Sequence, residues 1–220
     1  MTNKTTIIED KNYKGLYYHP TRDKTDYLLS FLADNDKIYK FFDVTVIGSI
    51  PFKSEVADNN TPKITPQHFI ENKKFTQILH QVIAENVYSD VQLQGLAKYH
   101  QNGWLHVADA RDPAPWGRIP YPEDIFGMIQ VIDGQIVRGT YQPMPTHRMV
   151  TAKGLFMLND PLQEKLLEKV GHDLIDLIIG VVQIKPYVML SLIMALNGAL
   201  AVLWLLRKNI QTNKRVKLDL

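Results

Sequence analysis

"FGMIQVIDGQIVRGTY", Phe126 to Tyr141, decides what kind of fold this chain can adopt. Two apolar runs, Met128–Ile132 and Ile136–Val137, flank the dipeptide Asp133-Gly134. A type I′ turn needs positive φ at both central residues, and Asp-Gly supplies them with a twist that suits two paired strands. The stretch predicts a β-hairpin, so the fold contains antiparallel sheet.

Working outward, "WLHVADA" (Trp104–Ala110) alternates in polarity and predicts a short strand. "HRMVTAKGLFMLN" (His147–Asn159) predicts a second hairpin turning at Lys153-Gly154. Before them the period is helical. Lys24–Phe42 has Thr25 or Asp26 as an N-cap, apolar residues at helical spacing and a break at Asn35. Asp43–Ile50 is β-branched and strand-like, and 51–66 is a polar, proline-bearing loop. Thr65-Pro66 opens a further helix whose apolar face is Phe69, Ile70, Phe75, Ile78, Leu79, Val82 and Ile83. Ser89–Gly103 is a second helix packed on it. Asn159 or Asp160 caps a last one, with Pro161 in its first turn.

The expected fold is therefore α+β: N-terminal helices, a small antiparallel sheet of hairpins, and a C-terminal helix leading into a single transmembrane helix. The expected organisation is a flexible N-terminus (1–23), a soluble α+β domain (24–177), an apolar segment (178–206) and a basic tail (207–220).

The membrane expectation rests on "PYVMLSLIMALNGALAVLWLL", 186–206, which is free of charged residues. As a helix it would span roughly 31 Å, against a hydrocarbon core of about 30 Å. Its Leu, Ile and Val residues together favour insertion by about 3–6 kcal/mol, enough to outweigh Asn197 and Ser191. Lys185 precedes the run, Arg207 and Lys208 follow it, and Tyr187 and Trp204 stand near its ends, where amphipathic rings prefer the interface. Ser191, Ala195 and Ala199 form a small-residue stripe beside Asn197, a pattern that favours helix association and so a homo-oligomer through this helix. Leu174–Ile184 is too short to span and suits an interfacial or core helix; a membrane hairpin built from both segments is the alternative.

Charge and composition exclude several classes. The net charge of +2 leaves no nucleic-acid footprint, and no cysteine is present for thiol catalysis, disulfides or cysteine-ligated metal. Excess basic residues (Arg207, Lys208, Lys214, Arg215, Lys217) sit beside the apolar run. The first residues lack an apolar signal region. Counting basic residues alone would put the tail in the cytosol, whereas the missing signal puts the domain there. The second argument weighs more, because moving a short tail across a membrane is the smaller task. The expected location is a single-pass membrane protein with its domain facing the cytosol. The short basic tail favours the outer mitochondrial membrane over the endoplasmic reticulum.

The loop "HVADARDPAPWGRIPYPEDIFG" (His106–Gly127) concentrates the candidate chemistry. His106, Asp109 and Asp112 with His147 could ligate a metal, but on a strand entering a proline loop the first two point to different sides. Arg111, Arg118, His147 and Arg148 complete the set an enzyme would use: His106, Asp109, Arg111, Arg118, His147 and Arg148. The alternative is structural, with Trp116 buried beside Gly117 and Arg118 paired with Glu123 or Asp124 in a loop stiffened by four prolines. No nucleophile elbow, phosphate loop, HExxH or dinucleotide fingerprint occurs, so no cofactor or metal is expected.

Gly103–Val137 and Tyr141–Leu166, with "PWGR", "PEDIFG" and "YQP", resemble a mainly fungal family of proteins without a known activity. The resemblance extends from Pro66 to Val170 and implies a shared fold unit, but no catalytic residue, cofactor or partner. The expected function is a tail-anchored, non-enzymatic protein whose domain binds a partner protein at a lipid bilayer. The alternatives are an enzyme with its site in loops 106–127 and 141–148, and an accessory subunit of a larger membrane complex.

Overall fold

A computed structural model describes residues 6–53, 61–111, 113 and 118–182, with side chains as far as 176. The compact unit containing nearly all of them ends at Leu174. It is α+β with antiparallel sheets, as the hairpin signals require.

From Thr6 on, the described residues open with strands where a flexible segment and then a helix were expected. Strands β1 (Ile8–Glu9), β2 (Tyr17–Pro20) and β3 (Asp26–Ser30) pair in succession, and β4 (Val46–Pro51) and β5 (Ile70–Glu71) complete a five-stranded sheet in sequence order. Leu16 and Tyr18 are buried, so residues 8–20 are part of the core. The helix expected over Lys24–Phe42 is replaced by β3 followed by two short helices, α1 (Asn35–Lys40) and α2 (Phe42–Thr45). The reason lies in β3. Leu29 faces the main core while its neighbour Leu28 packs with Ile38 and Val46 on the other side. A strand covered on both faces loses its alternation and reads like a helix.

Helix α3 (Lys73–Asn86) starts later than Pro66 suggests. Asn72 is its N-cap, accepting from Lys74 N at 3.1 Å, while 65–69 form only a turn. Phe75, Leu79, Val82 and Ile83 are its buried stripe. Helix α4 (Val91–His100) is capped by Asp90, not Ser89, and ends at Gln101 with φ 64°.

Strand β6 (Gly103–Ala108) pairs antiparallel with β7 (Ile125–Ile132), whose other side carries β8 (Gln135–Ile136) and β9 (Gln142–Pro143). The turn between β7 and β8 has φ 48° at Asp133 and 71° at Gly134, the positive pair a type I′ turn requires. The second expected hairpin is also present: β10 (Val150–Thr151) and β11 (Gly154–Leu155) pair around Lys153-Gly154. Helix α5 (Asp160–Val182) follows, capped by Asn159, and buries Leu162, Leu166, Val170 and Leu174 along one stripe. Leu174, at the start of the segment expected to be interfacial or core, is buried.

Among the described residues no helix is long and apolar enough to cross a membrane. The run 186–206, with Ser191, Ala195, Asn197 and Ala199, and the tail 207–220 lie outside them.

Candidate functional site

Two loops and a hairpin converge on one guanidinium. β6 ends at Ala108, which places Asp109 at the bottom of the sheet; the Pro122–Asp124 turn brings Asp124 alongside it. Arg111 lies between them, its side chain only 2% exposed. Its Nε donates to Asp124 Oδ1 at 2.9 Å, and one terminal nitrogen contacts Asp109 Oδ2 at 3.2 Å. The remaining N–H groups reach the carbonyls of Met149 (3.3 Å), Gly154 (3.0 Å), Glu123 (3.2 Å) and Arg148 (2.7 Å). A guanidinium has five N–H donors, and this one spends them on protein acceptors from three separate segments.

The carboxylates are equally occupied. Asp109 Oδ1 accepts from the backbone N–H of Arg111 and Met157, at 3.0 and 2.9 Å, and its Oδ2 lies 3.3 Å from His147 Nε2. Asp124 Oδ2 accepts from Lys153 Nζ at 2.9 Å. Tyr13 packs onto the same cluster, its hydroxyl donating to the Phe156 carbonyl. Burial, then the nearby Asp109 carboxylate, hold that phenol well above its usual range.

His147 is also a wall of a shallow cleft of about 320 Å³ shared with Glu71, Thr76, His80, Met144 and Arg148. The rings of His80 and His147 stand 6.2 Å apart and nearly perpendicular. His80 Nδ1 is 2.8 Å from the Tyr141 hydroxyl, which in turn lies 3.1 Å from the Phe126 carbonyl. Burial, then the neighbouring His147, push His80 down to about 4, so it is neutral near pH 7. Burial raises the Tyr141 phenol. A histidine held by an aspartate can move a proton, but nucleophilic catalysis also needs an activated hydroxyl or thiol. The hydroxyl in the cleft, Thr76 Oγ1, donates to Glu71 Oε1 at 2.6 Å.

Of the expected site residues, Asp109, Arg111 and His147 come together, and Arg148 stands on the cleft wall with its backbone N–H bonded to Glu123 O. His106 does not join them: it is paired across the strands with Met128, on the face opposite buried Val107. The expected pairing of Arg118 with Glu123 or Asp124 is absent. Arg118 is exposed without an ion pair among the described residues, and Arg111 with Lys153 takes Asp124 instead. The two-residue step from Asp109 to Arg111 keeps the guanidinium beside both aspartates, whereas Arg118 comes seven residues further along the proline-bearing loop. Asp112, Trp116 and Gly117 lie outside the described residues. Among the described residues no three His, Asp or Glu side chains are grouped to hold a metal ion. His80 and Lys153 carried no sequence signal: one is a polar residue within a helix, the other a hairpin turn residue, and only tertiary contact gives them partners.

No protein-family model matches the chain, and neither the curated proteins nor the solved structures contain a significant match.

Proposed function

We propose that this is a tail-anchored, non-enzymatic membrane protein whose α+β domain binds a partner protein. The observation that carries the non-enzymatic part is the saturation of Arg111. Asp109, Arg111 and Asp124 hold each other and the backbone, so the buried charged cluster is occupied by the protein's own groups. Such a knot ties the Pro122–Asp124 turn, the loop before β10 and the β10–β11 hairpin to the end of β6, a role in scaffold rigidity. The anchor rests on the uncharged run 186–206 and its interfacial flanks. The outer mitochondrial membrane rests on the basic residues that follow this run, Arg207, Lys208, Lys214, Arg215 and Lys217, with the domain on the cytosolic side.

The test has three arms. Alkaline extraction of membranes from cells expressing the full chain should leave it in the pellet, and deletion of 186–206 should release it. Protease added to intact organelles should digest the domain; a domain that survives until the membrane is opened overturns the orientation. Proximity labelling from the domain, compared between wild type and the deletion, should give a reproducible protein neighbour. Its absence overturns the partner reading.

A second reading, an enzyme, is favoured by one observation: the cleft with His80 and His147 on its walls. Its test is loss of cellular function in a His80→Gln/His147→Gln double variant that keeps its fold.

A further inference from the structure

β6 is an edge strand, and the direction of its backbone groups can be read from its neighbour. Gln130 of β7 uses both backbone groups on the side away from β6: its N–H donates to Thr140 Oγ1 at 3.0 Å and its C=O accepts from Val137 at 2.9 Å. Trp104 lies opposite Gln130. In an antiparallel pair such residues face away from each other, so Trp104 directs its N–H and C=O to the open edge. Alternation assigns the same direction to His106 and Ala108. The neighbours agree: Asp109 N donates toward the β7 side, to Asp124 O at 2.8 Å, and the Gln101 carbonyl accepts there from Gly134. The outward groups of Trp104, His106 and Ala108 have no partner among the described residues.

Natural sheets guard such edges with charge, proline or bulges. "GWLHVA" carries no Lys, Arg, Asp, Glu or Pro. The irregularity in the pairing falls only between Val107 and Ala108. The open lane is also bounded. Beyond Ala108, Ala110 N donates to Met157 O at 2.8 Å, so the chain's own backbone fills the next position. At the other end the chain turns away at Gln101. The lane is as long as β6 itself.

We propose that two copies of this chain pair along β6, antiparallel, in a two-fold register centred on His106. In that register Trp104 faces Ala108 of the second copy, and His106 faces its own counterpart. Every outward N–H and C=O of the three residues then finds an acceptor or donor. The side chains fit as well. The exposed indole of Trp104 lies over the small Ala108, and on the inner face half-buried Leu105 meets Val107. The two sheets become one continuous sheet, and the occupant is a second copy because β6 is complementary to itself in this register, large Trp104 against small Ala108 and Leu105 against Val107. This interface is independent of the protein partner proposed above and of any contact through 186–206.

The chain has no native cysteine, so single cysteines report the register cleanly. Full-length His106→Cys in detergent micelles, treated with a short bis-maleimide, should give a cross-linked dimer. An exposed control, Gln77→Cys on α3, should not. Trp104→Cys mixed with Ala108→Cys should cross-link well above either variant alone. His106→Pro removes an N–H that points outward, so it should abolish the dimer in sedimentation while leaving the circular-dichroism spectrum of the folded chain unchanged. The proposal is overturned if His106→Cys cross-links no more than Gln77→Cys, or if His106→Pro leaves the dimer intact. It is also overturned if the wild type is monomeric and a different protein occupies the strand.

Discussion

Asp90 and Asn159 each cap a helix and bond to one another. Asp90 Oδ1 accepts from Gln92 N and Leu93 N at the start of α4, at 2.8 and 3.0 Å. Asn159 Oδ1 accepts from Leu162 N in the first turn of α5 at 3.2 Å, and its amide donates to Asp90 Oδ2. Two helix N-termini are thus joined through a buried carboxylate, which also complements the positive end of both helix dipoles.

Removing Asp90 therefore costs more than removing a solitary cap. A lost N-cap is worth about 1 kcal/mol, and an orphaned hydrogen bond to a charged group adds about 1.5–3 kcal/mol. Asp90→Ala should lower stability by about 2–4 kcal/mol on these figures. Asn159→Ala should cost less, and the double variant should fall short of the sum. Strictly additive losses in urea denaturation would show that the two caps are uncoupled.

Arg111 makes a sharper case. Removing one partner of a buried ion pair costs about 3–5 kcal/mol, because the charge left behind is stranded. Arg111→Ala strands two carboxylates and four carbonyls, so it should unfold the domain or reduce its denaturation midpoint drastically. Arg111→Lys should recover little, since an ammonium cannot reach acceptors arranged around a planar fork. Arg118→Ala, on an exposed side chain, should fall within about 0.5 kcal/mol of wild type. Equal effects of the two substitutions in the same denaturation series would refute the assignment.

His80 gives a pH dependence with a definite sign. Folding lowers its pKa from 6.5 to about 4, so the unfolded chain binds the proton more tightly. Stability from this group is present above about pH 6.5 and is lost as pH falls toward 4. Partial exposure screens the effect, which leaves about 1–2 kcal/mol for a shift of this size. The wild type should lose that stability between those pH values, while His80→Gln should show a flatter profile. Parallel profiles would place the acid sensitivity in another group.

What was legible in the sequence follows burial pattern. Asp133-Gly134 and Lys153-Gly154 fixed both hairpins because turn chemistry is local. The five-stranded sheet was hidden for two reasons. Leu28 and Leu29 are buried on opposite faces of β3, which erases the two-residue period. β5 is only two residues long and depends on Gly48, where a Cβ would approach Phe69 Cζ to 2.3 Å. The site was half legible. Asp109, Arg111 and His147 stood in the proline-rich stretches, but which arginine would be buried depended on the path of the loop. His80 and Lys153 come from elements that only the folded chain brings near.

Helix α5 separates two adjacent leucines. Leu166 is fully buried, in line with Leu162, Val170 and Leu174, whereas Leu167 points outward. Four-residue steps keep the first set on one face, and Leu162, Leu166 and Val170 of it belong to the main core with Phe156. A buried Leu→Ala substitution loses transfer free energy and leaves a cavity, about 2–5 kcal/mol in total. Leu166→Ala should therefore reduce stability by that amount in chemical denaturation, with the slope unchanged. Leu167→Ala removes the same atoms from a half-exposed position and should cost less than about 1 kcal/mol. If the two substitutions cost the same, or Leu167 costs more, α5 is rotated about its axis relative to the packing described. The cap at Asn159 and the stripe through Leu174 would then both need reassignment.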